Sequence, residues 1–329
     1  MLKVSVIVPI YKVEAFIARC AESLMCQTLR EGVEFIFVDD DTPDDSICVL
    51  QKVLRRHPER ATQVRLLKHD VNKGLPAARN TGLVIAQGEY IYHCDSDDYV
   101  EPDMLEVLYT AAAQRQADMV WCDWYLTFDK NERYMRQPSY ATAEEALKSM
   151  LAGGMKYNVW NKLVCRSLYV DNHILFPAGY GMGEDMTMIR LAACANVVAY
   201  VPKAFYHYVK INASSFCQTY SERHLLELQH NVRETATYIL LHCGKEWKRE
   251  IAFLKLETKF PFLISNGKNG EYCRWVTWYP EANCYILQNK AVSARSRMIQ
   301  WLAAHNQFWL IRLYNKVVMQ WLYGVMYKR

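Results

Sequence analysis

Short apolar runs alternate with amphipathic segments over the first 125 residues of the chain. The apolar runs are rich in β-branched residues, which is typical of buried strands. They are residues 3–9, 34–39, 64–68, 89–94 and 118–124. Between them, apolar residues recur at helical spacing, which predicts helices over residues 13–24, 46–57, 75–87 and 102–116. This alternation predicts an α/β fold with a mostly parallel sheet flanked by helices.

The second half of the chain has a different pattern. From about residue 141 to residue 220 it loosens into shorter helices and glycine-bearing loops. From residue 222 to the end it is mainly helical, with a turn predicted at residues 265–270. We therefore expect a helical C-terminal region after the α/β part.

Composition and charge exclude several classes of protein. Of the 329 residues, 51% are hydrophobic and 22% are charged, so the chain can bury a core and is not disordered. The net charge of +4 argues against nucleic acid as a partner. The 11 cysteines include no CxxC pair, the N-terminus has no signal-peptide pattern, and no apolar run reaches about 18 residues. We therefore expect a cytoplasmic protein.

An acidic turn follows the fourth predicted strand. Asp95, Asp97 and Asp98 repel one another unless a cation compensates them, and oxygen ligands suit Mg²⁺ or Mn²⁺. The alternative is a solvated turn that caps the next helix. A calcium EF-hand is excluded because Val100 replaces the glycine that its loop requires.

A second acidic turn, residues 39–45, follows the second predicted strand. A carboxylate such as Asp39 at this place can accept the imide N–H of uracil or bind a ribose hydroxyl, and the alternative is ordinary turn chemistry. Arg79 adds a cation near the same edge of the sheet, although by itself it is more typical of an ordinary surface arginine. No GxGxxG or GxxxxGK[ST] pattern occurs, so the main support for a Rossmann dinucleotide-binding site or a P-loop nucleotide site is missing.

The combined motifs resemble those of glycosyltransferase family 2, inverting enzymes of the GT-A fold. The resemblance covers about the first 215 residues and says little about the rest. Its motifs are VSVIVPIY, VDD-DTPDDS, NKG-LPAARNTGL, GEYIYHCDSDDYVEPDML, VWNKLVCRSLY, GMGEDM and YHYVKINASS.

The resemblance implies roles for single residues on the donor side. Pro9 and Tyr11 would line the nucleotide pocket, Asp39 would read the base, and Arg79 would lie on the nucleotide-sugar side. Asp95 and Asp97 match the DxD motif, in which Asp97 would bind the metal directly and Asp95 would contact the ribose or support the metal.

The resemblance also implies a catalytic base and an acceptor side. Asp185, preceded by Glu184, matches the base, and its pKa is expected to need little tuning because a free Asp is ionised at neutral pH. His207 would add a metal or phosphate contact. Trp160, Asn161 and Lys162 would lie near the acceptor and the diphosphate.

The sequence departs from the family pattern in two places. Asp41, Thr42 and Pro43 replace the Gly-Ser-Thr of the commonest turn, DDGSTD, which makes the turn stiffer and more acidic. Processive relatives carry QxxRW, whereas Arg274 and Trp275 follow Glu271 here, so we expect transfer of a single sugar.

The expected reaction is inverting transfer from a nucleotide sugar, with a UDP-sugar favoured, assisted by Mn²⁺ or Mg²⁺. The acceptor would be a saccharide or a lipid-linked saccharide, as in bacterial enzymes that build capsule or lipopolysaccharide. The alternatives are a nucleotidyltransferase acting on sugar phosphates and a non-catalytic nucleotide-sugar-binding module. The first usually has a glycine-rich loop after the first strand, which this chain lacks.

We predict a catalytic domain over residues 1–215, with a nucleotide-sugar half (1–125) and an acceptor half (126–215), followed by a helical region over residues 216–329. The last 48 residues carry seven Lys and Arg and no acid. Their predicted apolar stripe comprises Phe308, Ile311, Tyr314, Val317, Val318, Trp321, Leu322 and Val325. Three interpretations are open: a helix docked on the core, a homo-oligomer contact, or a peripheral contact with the inner face of the cytoplasmic membrane.

Overall fold

The apolar runs near the N-terminus form the centre of a β-sheet. The structure, a computed structural model, describes residues 2–210, 221–264 and 270–317. All seven residues of strand β1 (Val4–Ile10) are buried, and so are all seven of β2 (Val33–Asp39). Both strands have a parallel neighbour on each side, so both of their faces are covered and both need apolar residues.

The described residues form one sheet of nine strands. The other seven strands are β3 (Val64–Lys68), β4 (Tyr90–His93), β5 (Tyr99–Val100), β6 (Met119–Thr127), β7 (Glu132–Met135), β8 (Lys162–Cys165) and β9 (Val198–Val209). The strand order is β3-β2-β1-β4-β8-β6-β9-β5, and β7 pairs with β6. All five strands that the sequence predicts are present, with bounds that differ by three residues at most.

The predicted α/β class with a helical C-terminal region is confirmed, but the sheet is more mixed than the alternation of strands and helices suggests. The β3-β2-β1-β4 half is parallel, as is the β6–β9 pair. Four other pairs are antiparallel. The physical reason is that β8, which the sequence pattern does not reveal, lies between β4 and β6 and runs opposite to both.

Helices cover the sheet and build the C-terminal region. They are α1 (Ile17–Met25), α2 (Ser46–Leu54), α3 (Leu75–Ile85), α4 (Met104–Arg115), α5 (Ala143–Leu151), α6 (Arg166–Asp171), α7 (Thr187–Cys194), α8 (Glu222–His242), α9 (Lys248–Lys259), α10 (Pro261–Ile264), α11 (Glu271–Thr277), α12 (Ala294–Ala304) and α13 (Phe308–Tyr314). Helix α3 lies very close to β1, because a Cβ at Gly82 would meet Ile7 Cγ2 at 2.5 Å.

The chain divides into two compact units. The first comprises the residues up to 146 together with residues 157–235, and the second comprises residues 147–156 and those from 236 onward. The domain boundary that we predict between residues 215 and 216 lies outside the described residues, so that division stays a prediction.

The C-terminal unit has its own core. Trp275, which belongs to the Arg-Trp pair noted in the sequence, is completely buried there, and the ammonium of Lys259 lies 4.1 Å from the centre of its ring. The start of the predicted tail stripe also docks in this unit, since Ile311 is buried and Phe308 stacks on Tyr272 at 5.0 Å. The stripe residues Val318, Trp321, Leu322 and Val325 lie outside the described residues. None of the helices in the described ranges is both long and apolar enough to cross a membrane.

Candidate active site

The residues predicted to contact the nucleotide lie at one edge of the sheet. Strands β1, β2 and β4 are parallel, so their carboxyl ends meet there, and Ile10 is in register with Asp39. Pro9 is buried within β1, whereas Tyr11 just after it is 41% exposed. Asp39 is almost fully buried, and its Oδ1 accepts a hydrogen bond from the Thr42 N–H at 2.9 Å. This edge is where open α/β sheets bind ligands.

Asp40 holds the edge together, a role that the sequence analysis missed. Its carboxylate is buried and accepts hydrogen bonds from four groups on the segment after β3. They are the His69 ring at 2.7 Å, the Asn72 amide at 3.1 Å, and the Lys73 and Gly74 N–H groups at 2.8 Å each. Asp40 thereby fixes the turn that leads into α3. Nothing in the sequence distinguishes Asp40 from the neighbouring aspartates, so this role could not be predicted.

The turn after β2 is tied to the loop after β1. The Thr42 hydroxyl accepts the Lys12 N–H at 2.8 Å, and the Asp44 carboxylate accepts the Glu14 N–H at 3.1 Å. Asp41 has a φ of 54°, the left-handed conformation that glycine adopts most easily. This is the position at which the commonest family turn has glycine, so the backbone shape of the turn is compatible with the different sequence.

Arg79 lies between the DxD turn and the Glu184–Asp185 motif. It is 1% exposed, which rules out the surface-arginine interpretation. Its Nη2 donates to Asp95 Oδ1 at 2.7 Å, and its Nη1 donates to Glu184 Oε1. Burial alone would lower the pKa of Arg79, but the carboxylates of Glu184, Asp95 and Asp185 together raise it above its usual value. One permanent cation therefore joins the DxD turn to the Glu-Asp motif.

The predicted base lies directly after this ion pair. Gly183, with a φ of 84°, precedes a short 3-10 helix over Glu184–Met186. Burial raises the pKa of Asp185 to about 6, against the opposing effect of Arg79, and the nearby Asp95 raises it further. Burial likewise raises the pKa of Glu184, although Arg79 opposes that shift. An ordinary pKa was expected for Asp185 because its burial cannot be inferred from the motif.

The predicted acceptor-side residues are mostly buried beside the base. The Lys162 ammonium donates to Asn158 O at 2.8 Å and to Asn161 Oδ1 at 2.9 Å. Burial lowers the pKa of Lys162 to about 7, and the negative charge of Asp185 opposes that shift, so the two charges interact electrostatically. Trp160 is only 6% exposed and stacks on Tyr206 at 4.3 Å, so it belongs to the buried core.

Asp98 anchors the DxD turn, a second role that the sequence analysis missed. It is buried, and it accepts the Tyr206 hydroxyl at 2.6 Å and the Val209 N–H at 2.7 Å. The same hydroxyl accepts the Asp95 N–H at 3.3 Å. Burial raises the pKa of Asp98 well above its usual range, and Asp97 and Asp95 add to that effect. Asp98 is thus bound to β9, whereas Asp95 and Asp97 lie at the open edge.

The resemblance implies a metal or phosphate contact for His207, whereas in the structure its ring contacts neighbouring side chains. Its Nε2 is 2.8 Å from Glu101 Oε1, and its Nδ1 is 2.8 Å from Glu132 Oε1. Its ring is stacked between those of Tyr99 and Tyr125, at 4.1 and 4.8 Å. Both ring nitrogens have carboxylate partners in this arrangement, and the metal or phosphate contact of His207 stays a prediction.

Asp95 and Asp97 fit the role of a divalent-metal site that is completed by substrate. Among the described residues, no third carboxylate, thiol or imidazole joins them in a group of metal-binding size. Two carboxylates with the remaining positions left to substrate phosphates and water are the usual arrangement for Mg²⁺, and oxygen donors also suit Mn²⁺. One oxygen of Asp95 accepts a hydrogen bond from Arg79, and the direct metal contact of Asp97 stays a prediction.

The comparisons with known proteins identify the family. The family model described as "Glycosyl transferase family 2" matches residues 5–174, just over half of the chain. The chain belongs to glycosyl transferase family 2. The match spans β1 to α6 and contains the acidic turns and Arg79. As a family member, the chain is a glycosyltransferase.

Relatives and solved structures agree with the family 2 assignment. EpsH of Bacillus subtilis (strain 168), named as a glycosyltransferase, is 30% identical over 79% of this chain and 76% of its own. EpsJ of the same organism is 35% identical, but the match spans 55% of this chain and about half (53%) of EpsJ. The crystal structure of S. aureus TarS 1–349 in complex with UDP-GlcNAc has a TM-score of 0.66 at 20% identity, over 97% of this chain and 92% of that one. At this identity, the TarS likeness shows the fold alone.

Proposed function

We propose that this family 2 enzyme is an inverting, metal-dependent glycosyltransferase that moves one sugar from a UDP-sugar to a hydroxyl of a saccharide or lipid-linked saccharide. One observation carries the proposal: Arg79 bonds both Asp95 of the DxD turn and Glu184, the neighbour of the predicted base. The donor-side carboxylates and the base therefore belong to one site.

Asp185 acts as the general base. With a pKa of about 6, it is mostly ionised at neutral pH, yet it is a stronger base than an ordinary aspartate. It takes the proton of the acceptor hydroxyl while that oxygen bonds to the anomeric carbon. The bond from this carbon to the diphosphate oxygen breaks on the opposite face, so UDP leaves and the configuration inverts.

Asp97 and Asp95 would hold Mn²⁺ or Mg²⁺, which when bound neutralises the charge of the diphosphate leaving group. The uracil preference is supported by Asp39, whose buried carboxylate can accept an imide N–H at the sheet edge. TarS is a structural neighbour that binds UDP-GlcNAc, which agrees with a UDP-sugar donor.

Transfer of a single sugar is supported by the C-terminal unit. Glu271 stands where the processive motif has glutamine, and Trp275 is buried in the core of that unit. The tryptophan thus has a packing role that explains its presence without a processive acceptor channel.

The test is a screen of UDP-sugars and GDP-sugars with Mn²⁺, in which nucleotide release is measured with and without an oligosaccharide panel. We expect release from a UDP-sugar, metal dependence, and a product whose anomeric configuration, read by NMR, is opposite to that of the donor. A product with retained configuration, or a preference for GDP-sugars, would contradict the proposal. Asp185→Asn is the matched inactive control.

A further inference from the structure

We propose that Arg79 is a positioning residue that couples the donor-side carboxylate Asp95 to the loop carrying the base, Glu184–Asp185. This inference rests on the proposed function and reassigns Arg79, which the family resemblance puts among the donor contacts. Arg79 lies 16 residues from one partner and 105 residues from the other along the chain. It is therefore a long-range link between two separate motifs.

Helix α3 presents Arg79 from a rigid position. The turn before α3 is held by Asp40 through the Lys73 and Gly74 N–H groups, and Gly82 allows the helix to lie directly on β1. The guanidinium also lies 5.4 Å from the centre of the Phe176 ring. A side chain fixed in this way transmits the position of one partner to the other.

The next residue, Asn80, holds the other end of the base loop. Its side-chain amide donates to Phe176 O at 2.8 Å, and its Oδ1 accepts the Phe176 N–H at 2.9 Å. Residues 177–183 therefore run between two points that are both fixed on α3, Phe176 at the start and Glu184 at the end. Asp185 follows the second point directly.

Burial argues against a direct contact between Arg79 and the diphosphate. A guanidinium that is 1% exposed and has both terminal nitrogens on carboxylates offers little surface to an incoming anion. Removing the cation would instead leave the buried Glu184 and the partly exposed Asp95 without a shared counter-charge, and such a loss disturbs both of the segments that carry them. Occupancy of the donor side and orientation of the base are thus coupled through one side chain.

The test compares Arg79→Met, Arg79→Lys, Glu184→Gln and the double variant Arg79→Met/Glu184→Gln. UDP affinity is measured by calorimetry with Mn²⁺, and hydrolysis of a saturating UDP-sugar gives the turnover. We expect Arg79→Met to lower turnover about 100-fold and UDP affinity less than about tenfold, with partial recovery in Arg79→Lys. The double variant should be no slower than Arg79→Met, because residues that act as one unit are not additive.

Two kinetic outcomes would overturn the proposal. Losses that multiply in the double variant would mean that Arg79 and Glu184 act independently. A loss of UDP affinity above about 100-fold with unchanged saturating turnover would make Arg79 a diphosphate contact.

Amide hydrogen exchange tests the same link without any substrate. Arg79→Met should speed exchange in both residues 95–98 and residues 182–187, whereas Asn80→Ala should affect only the segment around 176–187. Arg55→Met, at an exposed arginine after α2, is the control and should change neither segment. If Arg79→Met changed only one segment, the coupling would be refuted. If the wild-type protein consumed no nucleotide sugar, the proposed function would fail, while hydrogen exchange would still decide on the link.

Discussion

Neighbouring aspartates lie at or shortly after the ends of β2 and β4, and one member of each pair is bound to a distant segment of the chain. Asp40 and Asp98 are buried and bind groups from distant segments, the turn before α3 and strand β9. Their neighbours Asp39 and Asp97 are the residues to which the resemblance assigns the contacts with the base and the metal. The sequence predicts that these turns carry chemistry, but it cannot separate structural from functional acids, because their partners lie 34 and 111 residues away.

Asp40→Asn should destabilise the protein by about 2 kcal/mol or more, because the buried carboxylate accepts backbone and side-chain donors that an amide can satisfy only in part. Chemical denaturation followed by circular dichroism measures the change. Asp41→Asn is the matched control, since Asp41 is exposed and asparagine tolerates its positive φ. Equal stability losses in the two variants would contradict the structural role of Asp40.

Asp185→Asn should reduce transfer by about 10²-fold or more, while UDP affinity with Mn²⁺ stays within about threefold of wild type. The base must be ionised to accept a proton, so wild-type turnover should rise with pH through about 6 and level off above it. An ordinary aspartate would give this rise near pH 4. Turnover that is constant between pH 5 and 7, with other steps shown not to limit the rate, would contradict the assignment.

At the scale of elements, the site depends on strands that the sequence does not reveal. The two-residue strand β5 pairs with β9, and β9 in turn pairs with β6. Strand β5 is too short for a pattern of alternation, and its position is set by a partner elsewhere in the chain. The long buried strands β1 and β2 are predictable because each needs apolar residues on both faces.

Strand β9 should fix the DxD turn through one hydroxyl, and Tyr206→Phe tests this. The variant removes the donor to Asp98 Oδ2 and the acceptor of the Asp95 N–H. We expect a stability loss of about 1–2 kcal/mol and a several-fold weaker affinity for UDP with Mn²⁺. Tyr208→Phe is the control, because it keeps the stack on Trp160 and removes a hydroxyl of the same strand that accepts the Lys210 ammonium at 3.3 Å. If both variants bound UDP alike, the turn would not depend on β9.

Helix α8 supports the base loop from a direction that the motifs do not indicate. The Asn231 amide donates to Tyr180 O at 3.0 Å and to Met182 O at 2.9 Å, and Glu227 accepts the Met182 N–H at 3.0 Å. The family resemblance ends before this helix begins. The sequence therefore predicts a helix in this region but gives no sign that it supports the loop of the predicted base.

At the scale of the whole molecule, the sequence predicts the first unit better than the second. The first unit has buried strands and family motifs, whereas the helices of the second have only an apolar stripe as a guide. That stripe proves to be divided, because Ile311 is buried while Val317 is 47% exposed. A second apolar set, Trp309 and Leu313, is one helical turn apart on α13 and is 61% and 52% exposed.

This exposed set, flanked by Arg312 and Lys316, leads us to expect reversible binding to anionic membranes. Each Lys or Arg near such a surface contributes about 1 kcal/mol, and exposed aromatic residues suit the headgroup level. Co-sedimentation with phosphatidylglycerol vesicles should fall at least about tenfold between 0.1 and 0.5 M salt, because the attraction is screened.

Trp309→Ser/Leu313→Ser should weaken binding several-fold without unfolding, since both side chains point to solvent. Val84→Ser, at a position 79% exposed in the first unit, is the control and should bind as wild type does. Absence of binding at low salt would leave the tail with a structural role alone, and equal loss in the control would show that any exposed apolar residue suffices.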